Sequence, residues 1–501
     1  MKRLFLICFL ALAAAGTATW LTEPDMRSEV PVIYWATDPN PARTEQVDKF
    51  HKWLVKNGHT TPDGKPRVEL RLETVSADRK GVIQGVSGVA ADIMDCFIPW
   101  YQSIGILADV TDAAEKYNFG IDQTYEALEP LLSVDGRQYG FPCNVNVMGL
   151  WANVGTFEKL GMQQPPEHWD IASFEQIGRE FVKRANEAGE RQSVFFMNKI
   201  EHPYLIRALH RSYGASEFNE TLTRSDLGHE GYARALAKIY QWTYVDHIAA
   251  SAAEESAFAA ESGYSGAGLA LFNRGNYGTY FIGRWCLIRF RQFADPPRVS
   301  VSNIPYGEFP NAVIGTRTAA VYAGSKYPEE AKLFLAYLAS AEYNQLVVAD
   351  ADALPPNPAF TRTEEFVRPA GLPNEWGAHE VPALASGTIA IATSVSPFVP
   401  ASTVDRYKKM ALDEVMADLV TPEAAALEAA RRVDAEIQLT LKDSPRLRRK
   451  YDELLEIQSK IDQYRVDGKP IPLAWIKNPF HRRYYMAMGW AVEGEEVSAR
   501  D

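Results

Sequence analysis

Apolar residues recur along this chain with two periods in turn, and the alternation predicts its layout. The run "PVIYWA" at 31–36 is unbroken and predicts a strand buried on both faces, as in a parallel sheet. Asn40 follows as a helix cap with Pro41 at the first helical position. Val47, Phe50 and Leu54 then recur at i, i+3 and i+7 until Asn57-Gly58 ends the helix. "RVELRLETV" sets Val68, Leu70 and Leu72 against charged neighbours, a half-buried strand. "GVIQGVSGVAADIMDCFIPW" predicts a helix with glycine-rich ends and then a strand over 91–97. This order is that of an α/β sheet whose parallel strands need crossover helices.

Farther on, Gly140 and Pro142 restrict the backbone around Phe141, and Val145, Val147, Gly149 and Trp151 continue as one strand. Phe157 and Leu160 open a short helix that stops at Gly161. Ser173 and Gln176 form a capping box for a helix striped by Phe174, Ile177 and Phe181. Pro328 starts another, with Ala331, Phe334, Leu335 and Leu338 on one face, and Thr421-Pro422 starts a third. No internal repeat or low-complexity tract interrupts the pattern.

At 501 residues the chain exceeds one core and is expected to form two lobes. Its net charge of -12 argues against nucleic acid as a partner, because an acidic surface repels phosphate. Residues 1–21 read as an export signal: Lys2 and Arg3 precede an apolar core from Leu4 to Ala15, followed by small residues. That core is short of the about 20 residues that a membrane span needs; an uncleaved anchor running through Trp20 and Leu21 is the alternative. Either way the expected destination is periplasmic or extracellular. Cys96, Cys143 and Cys286 then remain, an odd set that reads as buried thiols, with a Cys96–Cys143 bridge as the other reading.

Catalytic and metal signatures are not found. His379-Glu380 lacks a second histidine, no P-loop or C-x-x-C occurs, and "GYSGAG" at 263–268 matches neither glycine-rich motif and reads as a turn. Asp92 and Asp95 are three apart in an extended segment, so they point to opposite faces and cannot flank one glycosidic bond. Each reads as a strand-end acceptor. No metal and no cofactor is expected.

The order of segments resembles the extracellular solute-binding proteins of ABC sugar importers. The resemblance rests on Asp135-Gly136, Tyr139-Gly140, Pro142, Asn153, Phe157, Gly161, Pro165-Pro166 and Trp169, then on Gly283 and Trp285. It continues through the Ser325-Lys326 turn with its Pro-Glu-Glu-Ala helix and the helix after Thr421, covering about residues 30–440. Residues 441–501 extend beyond the family's usual end, with Leu447, Tyr451, Leu454 and Ile461 striping one more helix before an aromatic tail.

That resemblance implies an α/β, two-lobed periplasmic-binding-protein type II fold with discontinuous lobes and a hinge, the ligand lying in the cleft between them. The first lobe takes 30–141 and 305–358 and the second 142–304 and 359–440; the extension 441–501, outside the resemblance, reads as packing on the second, with a partner-contact role as the alternative. Residues 139–143 and Ile304-Pro305 are then the crossings, and 144–151 a strand of the second lobe. Ligands of open α/β sheets sit beyond the carboxyl ends of strands. Sugars need flat aromatic faces together with polar groups that bond hydroxyls. Trp285 matches the family's sugar-stacking tryptophan. With it, the ligand-contact candidates are Asp38, Asn40, Trp100, Tyr101, Phe141, Asn144, Asn146, Arg284, Gly315, Thr316 and Phe398, whereas Trp169 reads as packing. The implied function is capture of a mono- or oligosaccharide by a monomer that delivers it to an ABC permease. A secreted carbohydrate-active enzyme, or a binding protein for a non-sugar solute such as a polyamine, is the alternative.

Overall fold

The computed structural model describes residues 28–73, 78–186, 193–198, 200–257 and 267–493. The signal segment, residues 263–266 of the glycine-rich stretch and residues 494–501 of the tail lie outside them. Strands follow in chain order as β1 (Val32–Ala36), β2 (Glu69–Glu73), β3 (Ile93–Met94), β4 (Ser133–Val134), β5 (Arg137–Gln138), β6 (Gly140–Val147) and β7 (Gly149–Asn153). After these come β8 (Phe195–Asn198), β9 (Tyr277–Ile282), β10 (Val299–Ser302), β11 (Ala312–Val321), β12 (Ala390–Ala392), β13 (Ile471–Pro472) and β14 (Ala491–Val492).

Two main sheets result. The first runs β12-β11-β3-β1-β2, and β6 also pairs with β11. Ile314 pairs with both Ala392 and Val147, and Ala320 with both Met94 and Gly140, so β6 lies on one side of β11 while β12 and β3 share the other. The second sheet runs β10-β7-β9-β8. In the first, β1 lies parallel to β2 and β3, and the helices Ala42–Lys56 and Asp78–Val86 make the crossovers that parallel pairing requires. Val47, Phe50 and Leu54 of the first crossover helix pack on Trp35 and on Phe334 and Leu338 of the helix Pro328–Ala339. Around the second sheet, Phe174 and Phe181 of the helix Ile171–Ala185 pack against Phe196 and Trp242.

Several expectations are corrected. β1 is not buried on both faces: Ile33 and Trp35 are enclosed, but Tyr34, which alternates to the other face, is 41% exposed. The run 144–151 is two strands. Val145 and Val147 pair with Thr316 and Ile314 in the first sheet, whereas Gly149 pairs with Ile282 in the second. The chain therefore changes sheet at Met148, not at 139–143. A Cβ at Gly149 would stand 2.8 Å from the Ser302 carbonyl oxygen, so glycine is what lets β7 close on β10 just after the crossing. The return crossing lies between Ser302 and Ala312, and Tyr306 still bridges Asp170 beside the second sheet. β12 belongs to the first sheet although it falls within 359–440. The capping box shifts too: Asp170 Oδ1 accepts the Ser173 amide at 2.7 Å, and the helix starts at Ile171, ahead of Ser173. Cys96, Cys143 and Cys286 are all buried, and none of them is in a disulfide.

The segment after 440 is folded. Thr421 caps the helix Pro422–Asp443, Ser444 caps Pro445–Val466, and Leu447, Tyr451 and Leu454 join the core around the second sheet. Ile461 packs with Ile471, Ile476, Tyr485 and Ala491 in a smaller cluster. Phe480 sits against Phe309 and Ile391, beside the first sheet. Among the described residues no helix is long and apolar enough to cross a membrane.

Candidate functional site

A cavity of about 650 Å³ opens between the two sheets. The first sheet supplies its floor. Asp38 and Asn40 follow β1, Asp95 and Phe97 follow β3, Asn144 and Asn146 share one face of β6, and residues 315–318 run along β11. The second sheet's side supplies Trp285, in the turn after β9, and Tyr204, in the helix Pro203–Ser212 that follows β8. Loops at strand ends and helix starts thus converge there.

The charges of the cavity answer one another. Arg43, 1% exposed, donates from Nε to Asp38 at 2.8 Å and from Nη1 to Asp352 and Gln46. Asn40 Nδ2 donates to Asp352 at 3.0 Å, and Asn40 Oδ1 accepts the Ala42 amide, so the residue caps its helix and faces the cavity together. Arg317 donates to Asp95 at 2.6 Å and lies 3.6 Å from Asp38. Burial works against the Asp38 charge, but Arg43 and Arg317 outweigh it and hold that carboxyl below its usual range. Burial likewise opposes the Arg317 charge, and Asp95 and Asp38 more than compensate.

Among the described residues two polar atoms of the lining residues are left over, Asn146 Oδ1 and Thr393 Oγ1. Asn146 Oδ1 is buried without a partner at the cavity wall, a costly state unless a donor arrives. Thr316 Oγ1, by contrast, donates to the Asn144 carbonyl oxygen at 2.7 Å. Gly315 permits a close approach across the cavity, because a Cβ there would meet the Tyr204 hydroxyl at 2.3 Å.

Trp285, Asp38, Asn40, Asn144, Asn146, Gly315 and Thr316 line the cavity, and five candidates do not. Trp100 and Tyr101 are buried in the helix Ile98–Ser103 and pack into the core under β3. Phe141 alternates to the far face of β6, where it meets Phe119. Phe398 stacks edge-on against Tyr451, 5.2 Å away in the core. Arg284 turns away from Trp285 to donate to the carbonyls of Ala353 (2.8 Å) and Val348 (3.1 Å), and burial lowers its pKa to about 9. Trp169 is core, with Nε1 donating to the Asn303 carbonyl at 2.8 Å. Sequence reasoning missed Arg43, Tyr204 and Asp352. Tyr204 follows Pro203 at a helix start directly after a strand, a signal that could have found it; Asp352 carries no local signal.

Comparison with known proteins fits this architecture. The profile of the bacterial extracellular solute-binding protein family matches residues 65–345. A putative binding protein of Brucella abortus is 25% identical over 244 residues, which is 48% of this chain. The chain spans about half the length of the curated relatives it matches, 56% of that one. Among solved structures, an ABC substrate-binding protein from Listeria monocytogenes in complex with cycloalternan superimposes with a TM-score of 0.65 at 19% identity, covering 83% of this chain and all of that one. The maltose/maltodextrin-binding domain from Bdellovibrio bacteriovorus bound to maltotriose gives 0.62 at 16% identity, over 81% of this chain and 100% of its own. At these identities the likeness is one of fold, two α/β lobes about a cleft. With more than half of its length inside the family profile, the chain belongs to the bacterial extracellular solute-binding proteins.

Proposed function

We propose that this protein captures a neutral carbohydrate in the cavity by closing its lobes and delivers it to an ABC permease without cleaving it. One observation carries the reading. The three carboxylates and two arginines of the cavity are paired with one another, whereas the buried Asn146 Oδ1 lacks a donor and the Trp285 and Tyr204 rings offer flat surfaces. A ligand that brings hydroxyls and no net charge fits such a wall. The ligands of the Listeria and Bdellovibrio proteins point the same way. A polyamine would have to displace an arginine from its carboxylate. A hydrolase would need a carboxyl that holds a proton, and Asp38 is held ionised while Asp95 and Asp352 already accept from guanidinium groups.

In this reading the lobes form around the two sheets, with crossings at Met148, between Ser302 and Ala312, and between β12 and Phe398, and residues 1–21 export the chain to the periplasm or outside as a monomer. Thermal-shift screening against mono- and oligosaccharides, polyamines and amino acids tests it, since a ligand that binds only the folded form raises Tm. A shift with a neutral sugar that returns intact is expected. A shift with polyamines alone, or sugar cleavage by the purified protein, overturns the proposal.

A further inference from the structure

The chain passes from the helix Ala341–Asp350 back toward β6 through three buried residues, two of which have an unusual backbone. Ala351 has φ 58° and Ala353 has φ 64°, left-handed values that residues with a Cβ seldom adopt, and Asp352 between them is 1% exposed. Such conformations persist only where the surroundings over-determine them. Here both sides of the cleft do so. From the first sheet's side, Asn40 in the loop after β1 and Arg43 and Gln46 in the helix Ala42–Lys56 all donate to the Asp352 carboxylate. From the turn after β9 in the second sheet, Arg284 donates to the carbonyls of Val347, Val348 and Ala353, with its guanidinium 4.5 Å over the Phe366 ring. Leu354 then exchanges two backbone hydrogen bonds with Val145 of β6, at 2.8 and 2.9 Å.

We infer that Asp352 and Arg284 are positioning residues, which clamp the strap of residues 351–353 from the two lobes and so set the lobe geometry in which the cleft binds. The inference rests on the proposed function in that closure around a ligand is what the strap regulates. Asn40 and Asp352 both line the cavity, and Trp285 is the neighbour of Arg284 in the chain, so a ligand in the cavity lies against both ends of the clamp. A ligand shifts the lobes only by its differential affinity for two geometries, and a strap held on both sides limits how many geometries compete. Glycine at 351 and 353 accepts the same φ without a Cβ and frees the strap to leave it.

The test is made first on ligand-free protein. Spin labels go on the exposed Lys52→Cys and Lys159→Cys positions, one on each lobe, the three described cysteines being buried. The wild-type strap should give one narrow interlobe distance. Ala351→Gly/Ala353→Gly should broaden it without lowering Tm, and Arg284→Lys, which loses the fork, should broaden it as well. A double-glycine distribution that superimposes on the wild type overturns the inference, whatever the ligand. For a sugar found by screening, the double-glycine variant should bind about tenfold more weakly, the equivalent of about 1.4 kcal/mol, because closure then has to order the strap. Unchanged affinity also overturns it. A wild-type protein that binds no sugar sinks the functional reading alone, since the distance comparison still decides the strap.

Discussion

Removing the Arg43 guanidinium tests the electrostatics of the cleft floor. Its side chain is 1% exposed, that of Asp352 2% and that of Asp38 12%, and it donates to both carboxylates. Arg43→Met keeps much of the stem but leaves two carboxylates in a poorly solvated site with one countercharge fewer. Breaking a buried pair by deleting one partner costs about 3–5 kcal/mol. In a cooperative unit of about 150–250 residues each kcal/mol moves Tm by roughly 2–4 °C. The lobe built on the first sheet should therefore melt about 6–20 °C lower, as read by circular dichroism and calorimetry at pH 7.5. The triple variant Arg43→Met/Asp38→Asn/Asp352→Asn removes the stranded charges and should recover most of the loss. Moving the single variant to pH 5 should narrow the deficit, because stranded carboxylates take up protons more readily. A fall below about 2 °C at pH 7.5, or a triple variant no better than the single one, would show that water already solvates these groups.

Trp285→Ala should weaken sugar binding by roughly thirtyfold or more while the free protein melts nearly unchanged, since aromatic anchors commonly contribute about 2 kcal/mol; unchanged affinity in calorimetric titration removes Trp285 from the site. Phe480→Ala, at a fully buried position against Phe309 and Ile391, should cost roughly 3–5 kcal/mol in denaturant unfolding; a loss under about 1 kcal/mol would mean that the tail only rests on the fold. Asp226→Asn should raise Tm most at pH 8, by only a fraction of that gain at pH 5, and hardly at all below pH 4. Burial and the nearby Glu220 raise the Asp226 pKa to about 7, so the folded state binds the extra proton and stability falls as pH rises from about 4 to 7. His481, which burial lowers to about 4, acts in the opposite sense because the unfolded state binds its proton between about 4 and 6.5. The difference between variant and wild type isolates Asp226, and an equal gain at pH 8 and pH 5 would contradict the shift.

What could be read from sequence was chemistry that acts over a few residues. Thr421 with Pro422, Pro328 and the stripe of Val47, Phe50 and Leu54 each specify a helix through neighbours within one or two turns, and these helices formed as written. The Ser173 box failed for a local reason: Asp170, three residues earlier, is a competing cap that reaches the Ser173 amide. The break between β6 and β7 was not legible, because what divides an apolar run there is its partners, Ile314 and Thr316 on one side of Met148 and Ile282 on the other. The same holds for the cleft. Asn144, Asn146 and Phe141 lie in one strand, and only the pairing with β11, which shifts register at Arg317 and Thr318, decides which face each takes. Asp352 could not be found at all, since its partners Asn40 and Arg43 lie 312 and 309 residues away along the chain.

The central claim is that the cavity between the sheets holds a neutral sugar and leaves it intact. A crystal structure of the protein grown with the best-binding oligosaccharide from the panel tests it most directly. The account predicts an uncleaved sugar in the cavity, one ring against Trp285, one hydroxyl donating to Asn146 Oδ1, and the Arg43–Asp352 and Arg317–Asp95 pairs unbroken. A sugar bound elsewhere, a cleaved product, or a ligand that has pulled either arginine from its carboxylate would contradict it.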